Sequence, residues 1–229
     1  VTSPFSDSRH CPIWGSMRIA LWSIVAILAN TLCHAADQQI DIAGLAVLEV
    51  QVGRAMTLTN VVKRFGPADI WHTGDASDSE YKVCYRVKTD SGEQVVVFGS
   101  SGEMASLKGQ INAIRLLPGG SLSEAACPAI AKPVKVLASR NGLRIGIRDS
   151  EALRILGQQD VLPNGVLEYS LCKVKRMVSG TAEYKRWVGM SGCFEDPTKP
   201  YFNDCGAVQI RFNDGKAIEV NLAANQNVC

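Results

Sequence analysis

Histidine is nearly missing from this chain: 229 residues hold three, His10, His34 and His72. Long apolar runs are missing as well. Ile19 to Leu32 spans 14 residues, short of the roughly 20 that cross a bilayer. Charge of one sign is also missing. The 24 Lys+Arg against 22 Asp+Glu remove any long-range pull toward nucleic acid or anionic lipid. No C-x-x-C spacing occurs, which excludes a zinc ribbon and a thioredoxin-like redox pair. There is no Walker loop, dinucleotide fingerprint or nucleophile elbow, and Gly99-Ser100-Ser101-Gly102 fails the spacing of the last. What is present, 46% hydrophobic and 20% charged residues, describes a folded globular chain.

The N-terminus reads as a targeting segment. Met17-Arg18 begins it, the apolar run follows, and Cys33-His34-Ala35 places small side chains before a cut ahead of Ala36. That is the order of a secretory signal peptide. No Leu-x-small pattern precedes Cys33, so lipidation is not expected. Residues 1–16 read as an over-extended start. A cut after residue 35 leaves 22 Lys+Arg against 21 Asp+Glu and one histidine, His72.

Six of the eight cysteines remain after that cut: Cys84, Cys127, Cys172, Cys193, Cys205 and Cys229. An even number in an exported chain predicts a disulfide framework, with fifteen pairings open by count alone. An internal repeat narrows them. Val50-Gln51-Val52-Gly53, then Phe65-Gly66, then Glu80-Tyr81-Lys82-Val83-Cys84 is matched by a second series. That series is Leu143-Arg144-Ile145-Gly146, Leu156-Gly157 and Glu168-Tyr169-Ser170-Leu171-Cys172. Asn112-Ala113-Ile114-Arg115-Leu116 likewise matches Lys216-Ala217-Ile218-Glu219-Val220. Residues 43–127 and 143–229 are therefore expected to be two copies of one unit, joined by a linker at 128–142. Equivalent cysteines predict equivalent bridges, Cys84–Cys127 and Cys172–Cys229, which leaves Cys193–Cys205.

Each copy reads as a short helix followed by a sheet. Leu58, Val61, Val62 and Phe65 fall on one helical face behind a Thr57 cap, and Asp149 is placed to cap Ala152, Leu153 and Leu156. Expected strands are Tyr81 to Lys88, Gln94 to Phe98 and Ile111 to Leu117, then Leu167 to Val174, Val208 to Phe212 and Ala217 to Leu222. Asn213-Asp214-Gly215 signals a tight hairpin. The expected class is α+β: two tandem copies of a helix on an antiparallel sheet of three to four strands, disulfide-stapled.

The run apolar-x-apolar-Gly, short helix, Gly with Pro67 or Gln158-Gln159-Asp160 after it, and Tyr-containing strand resembles the SmpA/OmlA-like (BamE-like) fold. In tandem, with a disulfide in each copy, it is similar to secreted β-lactamase-inhibitory proteins. The resemblance implies a non-enzymatic binding protein, an inhibitor or an envelope assembly factor. The chain lacks the lipid-attachment cysteine of the lipoproteins, and its cysteine placement departs from that of the inhibitors.

Catalytic signals are sparse. With His72 alone, a histidine pair for a metal or a relay is not encoded, and a triad would have to use it. It stands beside Trp71 in an expected polar loop, as a contact residue or as a plain exposed histidine. Glu80 and Glu168 recur at equivalent strand positions, which duplication explains without a glycosidase pair. Lys173, Lys175 and Arg176 read as a solvated strand face. The richer signal is an insertion, 177–206, that holds Tyr184, Trp187, Phe194, Tyr201 and Phe202, five of the twelve aromatics after residue 35. Rigid aromatics on a crosslinked loop suit a binding surface, and they equally suit a cover over the second sheet. The expected function is an exported, periplasmic or secreted binding protein that contacts another secreted or envelope protein, with no cofactor, nucleic acid or retained membrane anchor. The alternative is an exported hydrolase with an unfamiliar site.

Overall fold

The computed structural model describes residues 40–53, 56–75, 79–101, 109–122, 127–157, 161–176, 180–181 and 201–227. The expected signal peptide lies outside the described residues. A one-turn 3-10 helix, Ile42–Gly44, leads into a two-stranded hairpin, β1 (Ala46–Val47) and β2 (Val50–Gln51). Helix α1 (Leu58–Phe65) follows, then β3 (Trp71–Thr73), β4 (Glu80–Thr89), β5 (Gly92–Ser101) and β6 (Ile111–Pro118). The second half has α2 (Asp149–Leu156), β7 (Val166–Arg176), β8 (Tyr201–Asn213) and β9 (Lys216–Asn227).

The class expected from sequence is overturned. The two expected copies do not carry separate sheets. One seven-stranded antiparallel sheet, in the order β3-β4-β5-β6-β9-β8-β7, runs through both. The described chain is mainly β, with two α-helices of eight residues each. The physical reason lies in the strand edges. Each copy alone would leave the outer edge of its third strand with unpaired N–H and C=O groups. Pairing Ala113–Leu116 of β6 with Val220–Ala223 of β9 satisfies both edges at once. Side-chain pattern does not encode that pairing, because edges are backbone.

One face of the sheet is buried. Val83, Tyr85 and Val87 of β4, Val96 and Phe98 of β5, and Ile114 and Leu116 of β6 line it. Val220 and Leu222 of β9, Val208 and Ile210 of β8, and Leu167 and Leu171 of β7 continue the same core. Each of the larger side chains stabilises by roughly 1.5–3 kcal/mol on burial. An eight-residue helix is about 12 Å long, whereas seven strands span about 29 Å, so two helices cannot cover this face. Leu45, Val47, Val50 and Val52 of the N-terminal hairpin and Leu137, Leu143 and Ile147 after the linker complete the cover.

The strand order is mirrored about the β6–β9 seam, and the mirroring extends to single hydrogen bonds. Gly53 N–H donates to Ile111 C=O at 2.8 Å, and Gly146 N–H donates to Ala217 C=O at 2.8 Å. Both glycines hold positive φ, 71° and 78°, where a side chain would be strained. Ile111 N–H donates to Met56 C=O, and Ala217 N–H to Ile147 C=O, each at 2.9 Å. The helices start alike too: Leu58 N–H reaches Gly109 C=O and Asp149 N–H reaches Gly215 C=O.

The caps differ. Thr57 and Asn60 make a reciprocal capping box, Asn60 N–H to Thr57 Oγ1 and Thr57 N–H to Asn60 Oδ1. Asp149 is not the cap of α2. Arg148 holds that position without a side-chain bond, and Asp149 is the first helical residue. The Asp149 carboxylate instead accepts from Ser150 N–H at 2.6 Å, from within the first turn. The expected linker is not free-standing either. Pro128 to Lys135 runs along the edge of β4 beyond β3, through Arg86 N–H to Pro128 C=O, Ile130 N–H to Arg86 C=O and Val134 N–H to Lys88 C=O.

The crosslinks need one correction. Cys84 is bridged to Cys127, but Cys172 is bridged to Cys205, not to Cys229. Strand β8 starts at Tyr201, so the last six residues of the expected 177–206 insertion are strand and the connection is 177–200. That extension sets Cys205 directly opposite Cys172, with 4.1 Å between Cα atoms, the spacing of a close cross-strand pair. The expected Cys193–Cys205 bridge falls with it. Cys193 and Cys229 lie outside the described residues.

Candidate functional site, the open face of the sheet

Alternation fixes what the other face presents. Opposite the core, Glu80, Lys82, Cys84 and Arg86 of β4 stand beside Val95, Val97 and Gly99 of β5. Ala113, Arg115 and Leu117 of β6, Glu219, Asn221 and Ala223 of β9, Ala207, Gln209 and Arg211 of β8, and Glu168, Ser170 and Cys172 of β7 follow. The helices and the N-terminal hairpin pack on the other side.

Register aligns these side chains into rows across the strands. One row is Trp71, Lys82, Gly99, Ala113, Ala223, Ala207 and Ser170. Its centre is one glycine and three alanines, so the floor drops there to a trough. A depression of about 250 Å³ opens on it, lined among others by Trp71, Glu80, Lys82, Gly99, Ala113, Arg115, Asn221 and Ala223. A Cβ on Gly99 would stand 3.0 Å from Glu80 Oε1 and 3.4 Å from Ala113 Cβ, so the small residue keeps the trough open. A wider hollow of about 600 Å³ lies between the β4–β5 hairpin and the linker. Lys88, Asp90, Glu93 and Lys135 mix both signs along it, so no one charge of ligand is favoured there.

The neighbouring row is polar and internally bonded. Arg115 Nε donates to Asn221 Oδ1 at 2.8 Å, Asn221 Nδ2 to Gln209 Oε1 at 3.2 Å, and Gln209 Nε2 to Glu168 Oε1 at 2.9 Å. Glu219 ties the row to the next: its carboxylate accepts from Asn221 Nδ2 at 3.1 Å and sits 3.3 Å from Arg115 and 3.7 Å from Arg211. Its side chain is 15% exposed, against 51% for Arg115 and 60% for Arg211. The two arginines thus remain solvated and available at the rim, and each such ion pair contributes about 1 kcal/mol or less.

The two halves of this face differ. On the first, Cys84, Val95, Val97 and Cys127 form a small second core with Trp71, Leu117 and Leu122 packed against it. The bridge to Cys127 holds its own cover over that half. On the second half the polar row and the Cys172–Cys205 bridge face solvent. The two halves of the sheet therefore present one lidded and one open surface.

The structure separates two of the expected contact residues. Trp71 pairs with Lys82 on the open face and is half-buried, whereas His72 pairs with Tyr81 and belongs to the opposite face of the same edge strand. His72 stacks on Tyr81 with ring centroids 4.6 Å apart and its Nε2 is hydrogen-bonded to Ser79 Oγ at 2.6 Å. The expected polar loop at His72 is strand. A Ser–His contact suggests a nucleophile and its base, but Ser79 is 4% exposed, and among the described residues no carboxylate bonds the other ring nitrogen. Tyr184, Trp187 and Phe194 lie outside the described residues. Tyr201 and Phe202 open β8 opposite Arg176 and Lys175, and their side chains lie outside what is described. Glu80 pairs with Lys82 at 2.7 Å, far along the sheet from Glu168, so the two carboxylates do not face one cleft. Among the described residues no three His, Cys, Asp or Glu side chains converge as a metal site.

Sequence reasoning missed Lys82, Gly99, Ala113, Arg115, Ala207, Gln209, Asn221 and Ala223. The available signal was small or amide side chains at alternate outward positions of neighbouring strands. It becomes a site only after the register across the seam is known. No family model, curated protein or solved structure matches the chain.

Proposed function

We propose that the chain is an exported binding protein, an inhibitor or accessory factor, that docks another secreted or envelope protein on the open face of its sheet. The carrying observation is the trough of Gly99, Ala113, Ala223 and Ala207 between half-buried Trp71 and the bonded row from Arg115 to Glu168. Small residues admit a protruding loop of a folded partner. The prebonded polar row limits the side-chain entropy lost on contact, which makes binding less costly. Arg115 and Arg211 at the rim suit a partner loop flanked by carboxylates. Two disulfides support an oxidising compartment, periplasmic or extracellular. No helix among the described residues is long and apolar enough to cross a membrane.

The test places a photo-crosslinking residue at Ala223, and separately at Val136 of the linker, which is 54% exposed. Exposure of both proteins to an envelope extract should give a discrete adduct from position 223 and none from 136. The Ala223→Arg variant, which fills the trough, should lose the partner at least tenfold while its melting temperature stays within a few degrees. Adducts of equal yield from both positions, or full binding by Ala223→Arg, would end this reading. Labelling of Ser79 by a fluorophosphonate probe would instead favour a hydrolase.

A further inference from the structure

The two bridges differ in access to solvent. Cys84 and Cys127 are both 0% exposed, enclosed by Val95, Val97, Trp71, Leu117 and Leu122. Cys172 is exposed and Cys205 half-buried. Thiol–disulfide exchange needs a thiolate to approach one sulfur in line with the bond, so a buried bridge reacts only through opening of the fold. An exposed bridge reacts in the native state. Strand pairing also makes the exposed bridge dispensable for the local fold. On one side of it Val166–Arg211 through Leu171–Gly206 remain paired, and on the other Lys173–Asp204 through Arg176–Tyr201.

We propose that Cys172–Cys205 is a thiol-exchange site on the open face, with a dithiol as its co-reactant, and that Cys84–Cys127 is a structural bridge closed to exchange. A thiolate of the dithiol attacks Cys172 Sγ, the sulfur of the more exposed cysteine. The Cys172–Cys205 bond breaks, a mixed disulfide forms at Cys172, and Cys205 leaves as a thiolate. The second thiol of the dithiol then attacks its own sulfur in the mixed disulfide and releases Cys172. The dithiol is oxidised to its disulfide, the bridge gains two electrons, and the two protons of the dithiol end on Cys172 and Cys205. The reduced chain keeps its sheet but loses the clamp at the root of the 177–200 connection. This reaction is independent of the docking reading, and either can fail alone.

The test uses the full chain in native buffer with dithiothreitol, timed quenching with iodoacetamide, and peptide mapping that resolves every cysteine. Cys172 and Cys205 should be alkylated at least tenfold faster than Cys84 and Cys127, with the far-ultraviolet circular dichroism unchanged. The direction of attack is read from two variants exposed to glutathione disulfide. Cys172 in Cys205→Ser should form the mixed disulfide several-fold faster than Cys205 in Cys172→Ser. Equal reduction rates for the two bridges, or protection of Cys172–Cys205 until the protein unfolds, would overturn the proposal. Faster reaction at Cys205 would overturn the assigned direction of attack. If neither variant folds, the wild-type time course still decides for or against the exchange site.

Discussion

Tyr85→Phe removes one oxygen from a buried side chain of β4, and its effect is expected to change with pH. Tyr85 is 0% exposed, and its hydroxyl donates to Gly66 C=O at 2.8 Å, tying the C-terminus of α1 to β4. The ring meets Phe65 edge-on at 5.6 Å, and Phe65 stacks on Phe98 at 5.9 Å. Those contacts survive in Phe. The loss is one hydrogen bond and an abandoned carbonyl, about 1–2 kcal/mol at neutral pH. For a chain of this size that lowers the melting temperature by roughly 2–4 °C per kcal/mol. Burial raises the Tyr85 pKa above its ordinary value, because the phenolate would have to form away from water. The sign follows from linkage. Below the unfolded pKa of about 10 both states are protonated and the full advantage of tyrosine is present. Above it the unfolded chain ionises first, and stability falls by about 1.4 kcal/mol per pH unit until the folded pKa is reached. The advantage of wild type over Tyr85→Phe should therefore shrink between pH 10 and 11. Guanidinium denaturation at pH 7, 10 and 11, on protein with free thiols alkylated, measures it. A gap that stays constant from pH 7 to 11 would refute the claim that the buried hydroxyl is held neutral.

Two further stability outcomes follow from the same geometry. Thr57→Ala removes half of the capping box on α1 and should cost about 1 kcal/mol, whereas Ser150→Ala on the uncapped α2 should change the denaturation midpoint by less than about 0.5 kcal/mol. The double variant Cys84→Ala, Cys127→Ala opens a loop with a sequence separation of 43. It should cost about 4 kcal/mol on chain-entropy reasoning, read as a shifted guanidinium midpoint; no shift would mean that the buried cluster around the bridge holds the segment without it.

Local structure was legible where a residue type has one mechanical use. Thr57 before an apolar period marked α1, and Asn213-Asp214-Gly215 marked the β8–β9 turn, where Asp214 and Gly215 both take positive φ. The strands of β4 to β6 were legible within a few residues from alternation. The class was not legible, because joining two sheets at β6 and β9 is a backbone event and leaves no side-chain period. The Cys172 partner was missed for a related reason. The repeat points to Cys229, but β8 begins seven residues ahead of its apolar pattern, at Tyr201, running through Asn203-Asp204-Cys205-Gly206, and register then overrides the repeat. The candidate site was the least legible part. Their ring side chains group Trp71 and His72 as one contact pair, yet adjacent strand residues point to opposite faces, and the polar Thr73-Gly74-Asp75 that follows gives the edge strand holding them the composition of a loop.

The seam also sets the order in which the molecule can assemble. The β4–β5 and β8–β9 hairpins close turns of a few residues, so they can form on the microsecond scale of isolated hairpins. Pairing of Ala113 with Ala223 brings together positions more than a hundred residues apart, and the entropy of closing that loop is recovered only when both halves already present finished edges. Zippering of the two halves is thus the late step of folding. Until it occurs, a folding chain carries two unprotected edges that match each other and equally match those of a neighbouring chain. Exchange of halves between molecules is the misassembly this topology invites, and refolding yield should fall with concentration for that reason.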